Sequence, residues 1–273
     1  MYKLLALDMD GTLLRSDKTI SEKTLDAIKK AREKGVKIVL ATGRPVHGIL
    51  SYIEQLGLNN DDEFVVTFNG CTVQTAKSGE ILFEISVKGE DLHYLYEISK
   101  NLNIDIHAFT SPEFCITPKI NEYSLIEARI NKIDLVEKDF YDIKPEEEVI
   151  KVLMVASKEN LDAAYSKLPE EAYEKYSVMR SSDIFLEFLS KGINKSRGID
   201  FLANKLNIKR EEIICIGDAE NDIAMIEYAG LGVAMGNAFT KVKKASNYIT
   251  FTNDEDGVAH VIDKFVLSEP VSS

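Results

Sequence analysis

Residues 3–12 read Lys3-Leu4-Leu5-Ala6-Leu7-Asp8-Met9-Asp10-Gly11-Thr12. Four apolar side chains followed by a carboxylate predict a short strand that stops at a charge. In an extended chain residues 8 and 10 point the same way, so the Asp8 and Asp10 carboxylates are expected to face one crevice. Ser21 is placed to cap a helix over 22–34, Gly35 ends it, and residues 36–40 form a second strand. Pro45 suits the first turn of a helix continuing to Leu56. This β-α-β-α alternation predicts an α/β fold, a parallel sheet with helices on its faces.

A third strand is expected over 64–68, with Asn69-Gly70 reading as a type I′ hairpin turn, and two shorter β segments end near Ile85. From residue 86 the texture changes to a helix (89–102), β segments (104–108 and 114–117), a helix (123–130), a strand (149–156), a helix (159–168) and two strands (176–181 and 184–189). Lys144-Pro145-Glu146-Glu147-Glu148 and Pro169-Glu170-Glu171 read as solvated loops. The parallel pattern then resumes with a helix over 194–206, a strand over 213–216, a helix after Asp218 and a last helix over 258–266. One domain interrupted by another explains this order, with a core of 1–85 and 190–273 around an insert of 86–189. The tail, 268–273, is expected to fray.

The 273 residues carry 33 basic and 45 acidic side chains, a formal charge of −12, and 45% are hydrophobic. Such a chain has the means to bury a core, and its acidity disfavours nucleic acid and anionic membranes as partners. Cys71, Cys115 and Cys215 are odd in number and contain no C-x-x-C, so a disulfide framework is not expected and a cytoplasmic protein is. The scattered histidines offer no local zinc motif. The first apolar run is too short for a signal peptide or a membrane span. No interface stripe is evident, which leaves the oligomeric state open.

A second acidic set, Gly217-Asp218-Ala219-Glu220-Asn221-Asp222, follows the strand 213–216 just as Asp8 follows the first. Asp218 and Asp222 are four apart and would share one helical face; alone, they read equally as a helix cap and a first-turn carboxylate. Several carboxylates at neighbouring strand ends repel one another unless a cation lies between them, and an all-oxygen set points to Mg²⁺. Thr42-Gly43-Arg44 closes the second strand at a helix start, which makes either an anion site or an ordinary capped helix. Lys195 stands at another helix start, where its charge opposes the macrodipole unless an anion is near; the other reading is an exposed loop lysine.

Taken in this order, Asp8-Met9-Asp10-Gly11-Thr12, Thr42-Gly43-Arg44, Lys195 and Gly217-Asp218 with Asn221-Asp222 resemble the haloacid dehalogenase (HAD) superfamily of phosphohydrolases. Asp10 and Thr42 stand too close for an inserted domain, whereas the span from Arg44 to Lys195 has room for one, as in the C2-capped branch. With its mixed insert and its Thr67-Phe68-Asn69-Gly70 stretch, the chain is similar to the Cof-type, YidA-like sugar phosphatases. The resemblance implies a Rossmann-like parallel-sheet core with an inserted α+β cap of the C2B type. It also implies a Mg²⁺-dependent phosphatase acting on a small phosphorylated metabolite, most simply a sugar phosphate. A hexose phosphomutase uses the same chemistry, and pyridoxal phosphate, flavin mononucleotide or a nucleoside monophosphate would fit a capped cleft. By resemblance Asp8 is the nucleophile and Asp10 the acid and base. The metal takes an Asp8 oxygen, the Asp10 backbone carbonyl and Asp218. Met9 N–H, Thr42, Gly43 N–H, Lys195 and Asn221 cradle the phosphate. Asp222 acts through a metal water or by orienting Lys195, and Arg44, Asn69 and Gly70 line the cleft. In the insert, His107, Tyr123 and Arg129 are the compositional candidates for specificity, each read first as a surface or packing residue.

Overall fold

The computed structural model describes residues 1–268; most of the expected frayed tail lies outside the described residues. Along the chain come β1 (Leu4–Leu7), α1 (Glu22–Glu33), β2 (Lys37–Ala41), α2 (Leu50–Gln55), β3 (Phe64–Thr67), β4 (Thr72–Thr75) and β5 (Ile81–Glu84). Next are β6 (Val87–Lys88), α3 (Gly89–Leu102), β7 (Asp105–Phe109), β8 (Phe114–Thr117), α4 (Glu122–Asn131), β9 (Asp134–Glu137), β10 (Glu148–Val149) and β11 (Lys151–Val155). Then follow α5 (Lys158–Tyr165), α6 (Glu170–Lys175), β12 (Tyr176–Ser182) and β13 (Phe185–Ser190). The last stretch holds α7 (Lys195–Lys205), β14 (Ile213–Gly217), α8 (Ile223–Tyr228), β15 (Leu231–Ala234), α9 (Thr240–Ala245), β16 (Tyr248–Ile249) and α10 (Gly257–Ile262).

Two compact units result. The first gathers Met1–Thr42, Tyr52–Leu82 and the chain from Asn194 onward; the second holds Gly43–Ser51 and Phe83–Ile193. The eight-stranded sheet of the first unit runs β16-β15-β14-β1-β2-β3-β4-β5, parallel from β16 to β3 and antiparallel between β3 and β4. β1 is central and all four of its residues are buried, as its unbroken apolar run requires. Ser21 caps α1, its hydroxyl accepting from the Thr24 N–H. From β1 the chain steps to β2 on one side and returns as β14 on the other, so the carboxyl ends of these three strands flank a topological switch point, where open α/β sheets bind ligands.

The second unit is built on a six-stranded sheet, β12-β13-β11-β7-β8-β9, antiparallel except between β8 and β9. One face of that sheet, with Val152, Met154, Ile106, Ala108, Leu186 and Phe188, packs on Leu92 and Leu95 of α3 and Leu161 and Ala164 of α5.

Several expectations need correction. Pro45 does not open a helix to Leu56: it is extended (ψ 162°), followed by a single 3₁₀ turn, Val46–Gly48, before α2. Asn69-Gly70 is not a two-residue turn, because Thr67 pairs with Thr72 and four residues connect the strands. Glu170 and Glu171 open α6 instead of lying in a loop; Pro169 precedes them in extended conformation, and two carboxylates in a first helical turn suit the macrodipole. The short strands β9, β15 and β16 carry too little alternation to stand out in the sequence.

Candidate functional site

Asp8 leaves β1 with its N–H on the Ile216 carbonyl (3.0 Å), which extends the β1–β14 ladder by one residue. The chain then turns tightly, with Leu13 N–H on the Asp8 carbonyl (3.2 Å) and Leu14 N–H on that of Met9 (2.8 Å). Gly11 permits this turn at φ +84°, and any β-carbon there would collide with the Asp218 carboxylate. The turn also ends the strand alternation on which a shared direction for residues 8 and 10 depends. Asp8 is buried, whereas the Asp10 carboxylate accepts from the Lys18 ammonium at 2.8 Å and its side chain is 41% exposed.

Lys195 opens α7 and is fully buried, not an exposed loop residue. Its ammonium donates to Asp8 Oδ1 at 2.5 Å and to Asp222 Oδ1 at 2.7 Å. The charge that a helix N-terminus disfavours is thus met by two carboxylates. Burial opposes that charge, but Asp222 and Asp8 outweigh it and hold the ammonium above its ordinary pKa.

Asp222 is fixed from the other side, its Oδ2 accepting from the N–H groups of Asp218 (2.9 Å) and Ala219 (3.0 Å). Asp218 and Asp222 do not share a helical face: a 3₁₀ turn over Glu220–Asp222 precedes α8, and the later carboxylate reaches back to the earlier backbone. Gly217 allows this approach, since a β-carbon there would collide with the Asp222 side chain. Asp218 Oδ1 accepts from the Thr12 hydroxyl at 2.9 Å. Asn221 Nδ2 donates to Asn69 Oδ1 at 3.0 Å, and Asn69 N–H donates to the Thr42 carbonyl at 2.9 Å. Gly70, at φ +98°, lies so close to α7 that a β-carbon would strike the Asn194 carbonyl.

Oxygens of Asp8, Asp218 and Asp222 all lie within 4.8 Å of one another. Burial first, then the Asp222 charge, raises the Asp8 carboxyl well above its usual range and lifts Asp218 to about 6. Three carboxylates against one ammonium leave a net negative, partly desolvated pocket with oxygen donors only. That donor set fits a hard divalent cation, whose charge would relieve the repulsion.

Thr42 is buried in the first unit, its N–H on the Val66 carbonyl at 2.9 Å, while Gly43 and Arg44 group with the second unit. There Lys151 donates to the Gly43 carbonyl at 3.2 Å and pairs with Glu187 at 3.3 Å. Nothing in the sequence marked Lys151 or Glu187. Of the compositional candidates, His107 is fully buried, with Nε2 2.8 Å from the Ser124 hydroxyl, while Tyr123 is half-buried and Arg129 exposed. The three cysteines are free and buried.

A family model described as haloacid dehalogenase-like hydrolase matches residues 5–262. The chain belongs to this family. The Bacillus subtilis (strain 168) protein "Putative phosphatase YxeH" is 38% identical over 271 residues, covering 98% of this chain and 100% of the relative. The 5-amino-6-(5-phospho-D-ribitylamino)uracil phosphatase YitU of the same organism is 32% identical, covering 96% and 97% of the two chains. The solved structure of the HAD subclass IIB sugar phosphatase BT4131 superposes with a TM-score of 0.81 at 28% identity, covering 96% of this chain and 98% of that one. The HAD-type chain is therefore a phosphatase of small phosphorylated substrates, with the α/β core and Cof-type relationship its motifs imply. Among the described residues no helix is long and apolar enough to cross a membrane.

Proposed function

We propose that this HAD phosphatase is Mg²⁺-dependent, hydrolyses sugar phosphates and works through an aspartyl-phosphate on Asp8. The observation that carries this reading is the placement of Lys195 between Asp8 and Asp222, beside Asp218. An Asp8 oxygen attacks phosphorus, the bond to the leaving oxygen breaks, and Asp10 protonates that oxygen as it departs. Asp10, now a carboxylate, takes a proton from water as the water oxygen attacks phosphorus. The bond to Asp8 then breaks, freeing inorganic phosphate and restoring the carboxylate.

Asp8, the Asp10 carbonyl and Asp218 would hold Mg²⁺, which when bound offsets the repulsion between carboxylate and phosphate. Lys195 and the N–H groups of Met9 and Gly43, with Thr42 and Asn221, bind the phosphoryl oxygens. Asp222 holds Lys195 in register through its own two backbone donors. Arg44, Asn69 and Gly70 are assigned to the cleft, and the insert, 86–189, is assigned the choice of leaving group. The sugar-phosphate assignment draws on the sugar phosphatase relative; YitU makes a phosphorylated ribityl compound the next class to test.

The deciding experiment follows phosphate release from an aryl phosphate by the wild type and by Asp8→Asn. Loss of more than about 10³-fold is expected, since the covalent route is closed. Unchanged release would overturn the mechanism. Conversion of a hexose 1-phosphate to its isomer without free phosphate would point instead to a mutase. A screen of sugar, ribityl, pyridoxal and nucleoside phosphates ranks the substrates.

A further inference from the structure

The second unit contains a buried polar cluster that the proposed chemistry does not use. Opposite the apolar face of its sheet, strand register sets Lys151 beside Phe109, and Leu153 between Glu187 and His107. Lys151, Glu187 and His107 are all buried on that face. Helix α4 adds Ser124, on His107, and Glu127, also buried. Burial raises the Glu127 carboxyl and Glu187 adds to that, while Lys151 and Arg44 pull it down.

Sheet faces in water are apolar or solvated, so a buried lysine requires a reason. Its ammonium reaches Gly43 O, part of the turn that follows β2. The same turn is tied by Arg44 Nη1 on the Gly48 carbonyl (3.3 Å), by His47 Nδ1 against the Pro112 carbonyl (3.2 Å) and by Gly48 against Asn131.

We propose that Lys151 is a positioning residue for phosphate binding: its charge-assisted bond to the Gly43 carbonyl restrains the backbone of Gly43, whose N–H the proposed site uses. Glycine has the widest backbone freedom of any residue, and a bond to its carbonyl removes it. Held at its carbonyl, the Gly43 residue has less freedom to rotate, so its own N–H keeps one direction. Glu187, paired with the ammonium at 3.3 Å, keeps the lysine aimed. The inference rests on the reading of the Thr42-Gly43-Arg44 turn as a phosphate site.

K151M removes the donor but leaves Glu187 buried without its cation, so K151M/E187Q, neutral at both positions, is measured beside it. With an aryl phosphate as substrate and inorganic phosphate as competitive inhibitor, both variants are expected to raise KM and the phosphate Ki by the same factor, about tenfold, with kcat within about threefold. A merely structural role would lower kcat and thermal stability without that matched change. A folded K151M/E187Q whose phosphate Ki equals that of the wild type overturns the assignment. Thr42→Val separates the two levels: if it raises Ki while K151M/E187Q does not, only the role of Lys151 fails. If neither moves Ki, the phosphate reading of the turn fails with it.

Discussion

The Lys195 ammonium and the Asp8 carboxylate meet at 2.5 Å, across 187 positions of sequence, in a place where the lysine has no exposure to solvent. Asp222 completes the arrangement, so one buried cation serves two carboxylates. Lys195→Met would leave both without it. Breaking a buried pair costs about 3–5 kcal/mol, and loss of a positive group facing a phosphoryl oxygen costs about 10²–10³-fold in rate. A lower melting midpoint with kcat/KM down by at least about 10²-fold is expected. Unchanged kcat/KM would remove Lys195 from the site.

Gly70 tests whether the Asn69–Gly70 connection positions that lysine. Gly70→Ala imposes φ +98° on an L side chain and drives its β-carbon into the Asn194 carbonyl, one residue before Lys195. Backbone cannot yield as a flexible side chain does. The expected result is a loss of about 2 kcal/mol or more in urea unfolding, with phosphate release falling as α7 shifts. Wild-type stability and turnover would show that the close approach is tolerated.

Much of this geometry was legible in the sequence because it follows from local rules. A strand that stops at Asp8, a second at Thr42 and a third at Gly217 must, in a parallel sheet, present their ends on one edge. Lys195 stood out because its charge is misplaced for a helix start. The backward reach of Asp222 to two N–H groups was not legible, since it depends on a 3₁₀ turn where a helix was expected. Lys151, Glu187 and Glu127 left no trace for a related reason. They meet across strands and a helix, so no spacing along the chain records them, and each alone reads as an ordinary surface charge.

His107 gives the second unit a pH dependence. Burial, and then the Lys151 charge, lower its pKa from 6.5 to about 4. Lys151, Glu187 and Glu127 are the ionisable groups of the same buried face. A depressed pKa means that the unfolded chain takes up the proton first as pH falls. The stability gained by keeping His107 neutral is therefore present above pH 6.5 and is lost as pH drops from 6.5 toward about 4. The loss is on the order of 3 kcal/mol. His107→Gln keeps a polar group facing Ser124 without a titrating site, so its unfolding free energy should vary less over this window. Identical pH slopes for variant and wild type would show that other groups carry the dependence.

The carboxylate triplet makes the last prediction, and its readout is separate from turnover. Asp8 and Asp218 are raised by burial and by their acidic neighbour, so a divalent cation bound among them stabilises the fold by relieving repulsion. A ligand that binds only the folded state adds about 2.7 kcal/mol at a concentration of 100 Kd. After chelation, added Mg²⁺ should therefore raise the melting midpoint in a saturable way and restore phosphate release over the same range. Asp218→Asn removes one anionic donor and should abolish most of both responses. Asp10→Asn offers a sharper contrast, because only its backbone carbonyl is assigned to the cation. That variant should keep the Mg²⁺-dependent rise in melting midpoint while losing turnover of alkyl phosphates, whose poor leaving group requires a proton. If Asp10→Asn instead lost the thermal response as Asp218→Asn does, its carboxylate would be a ligand and not the acid.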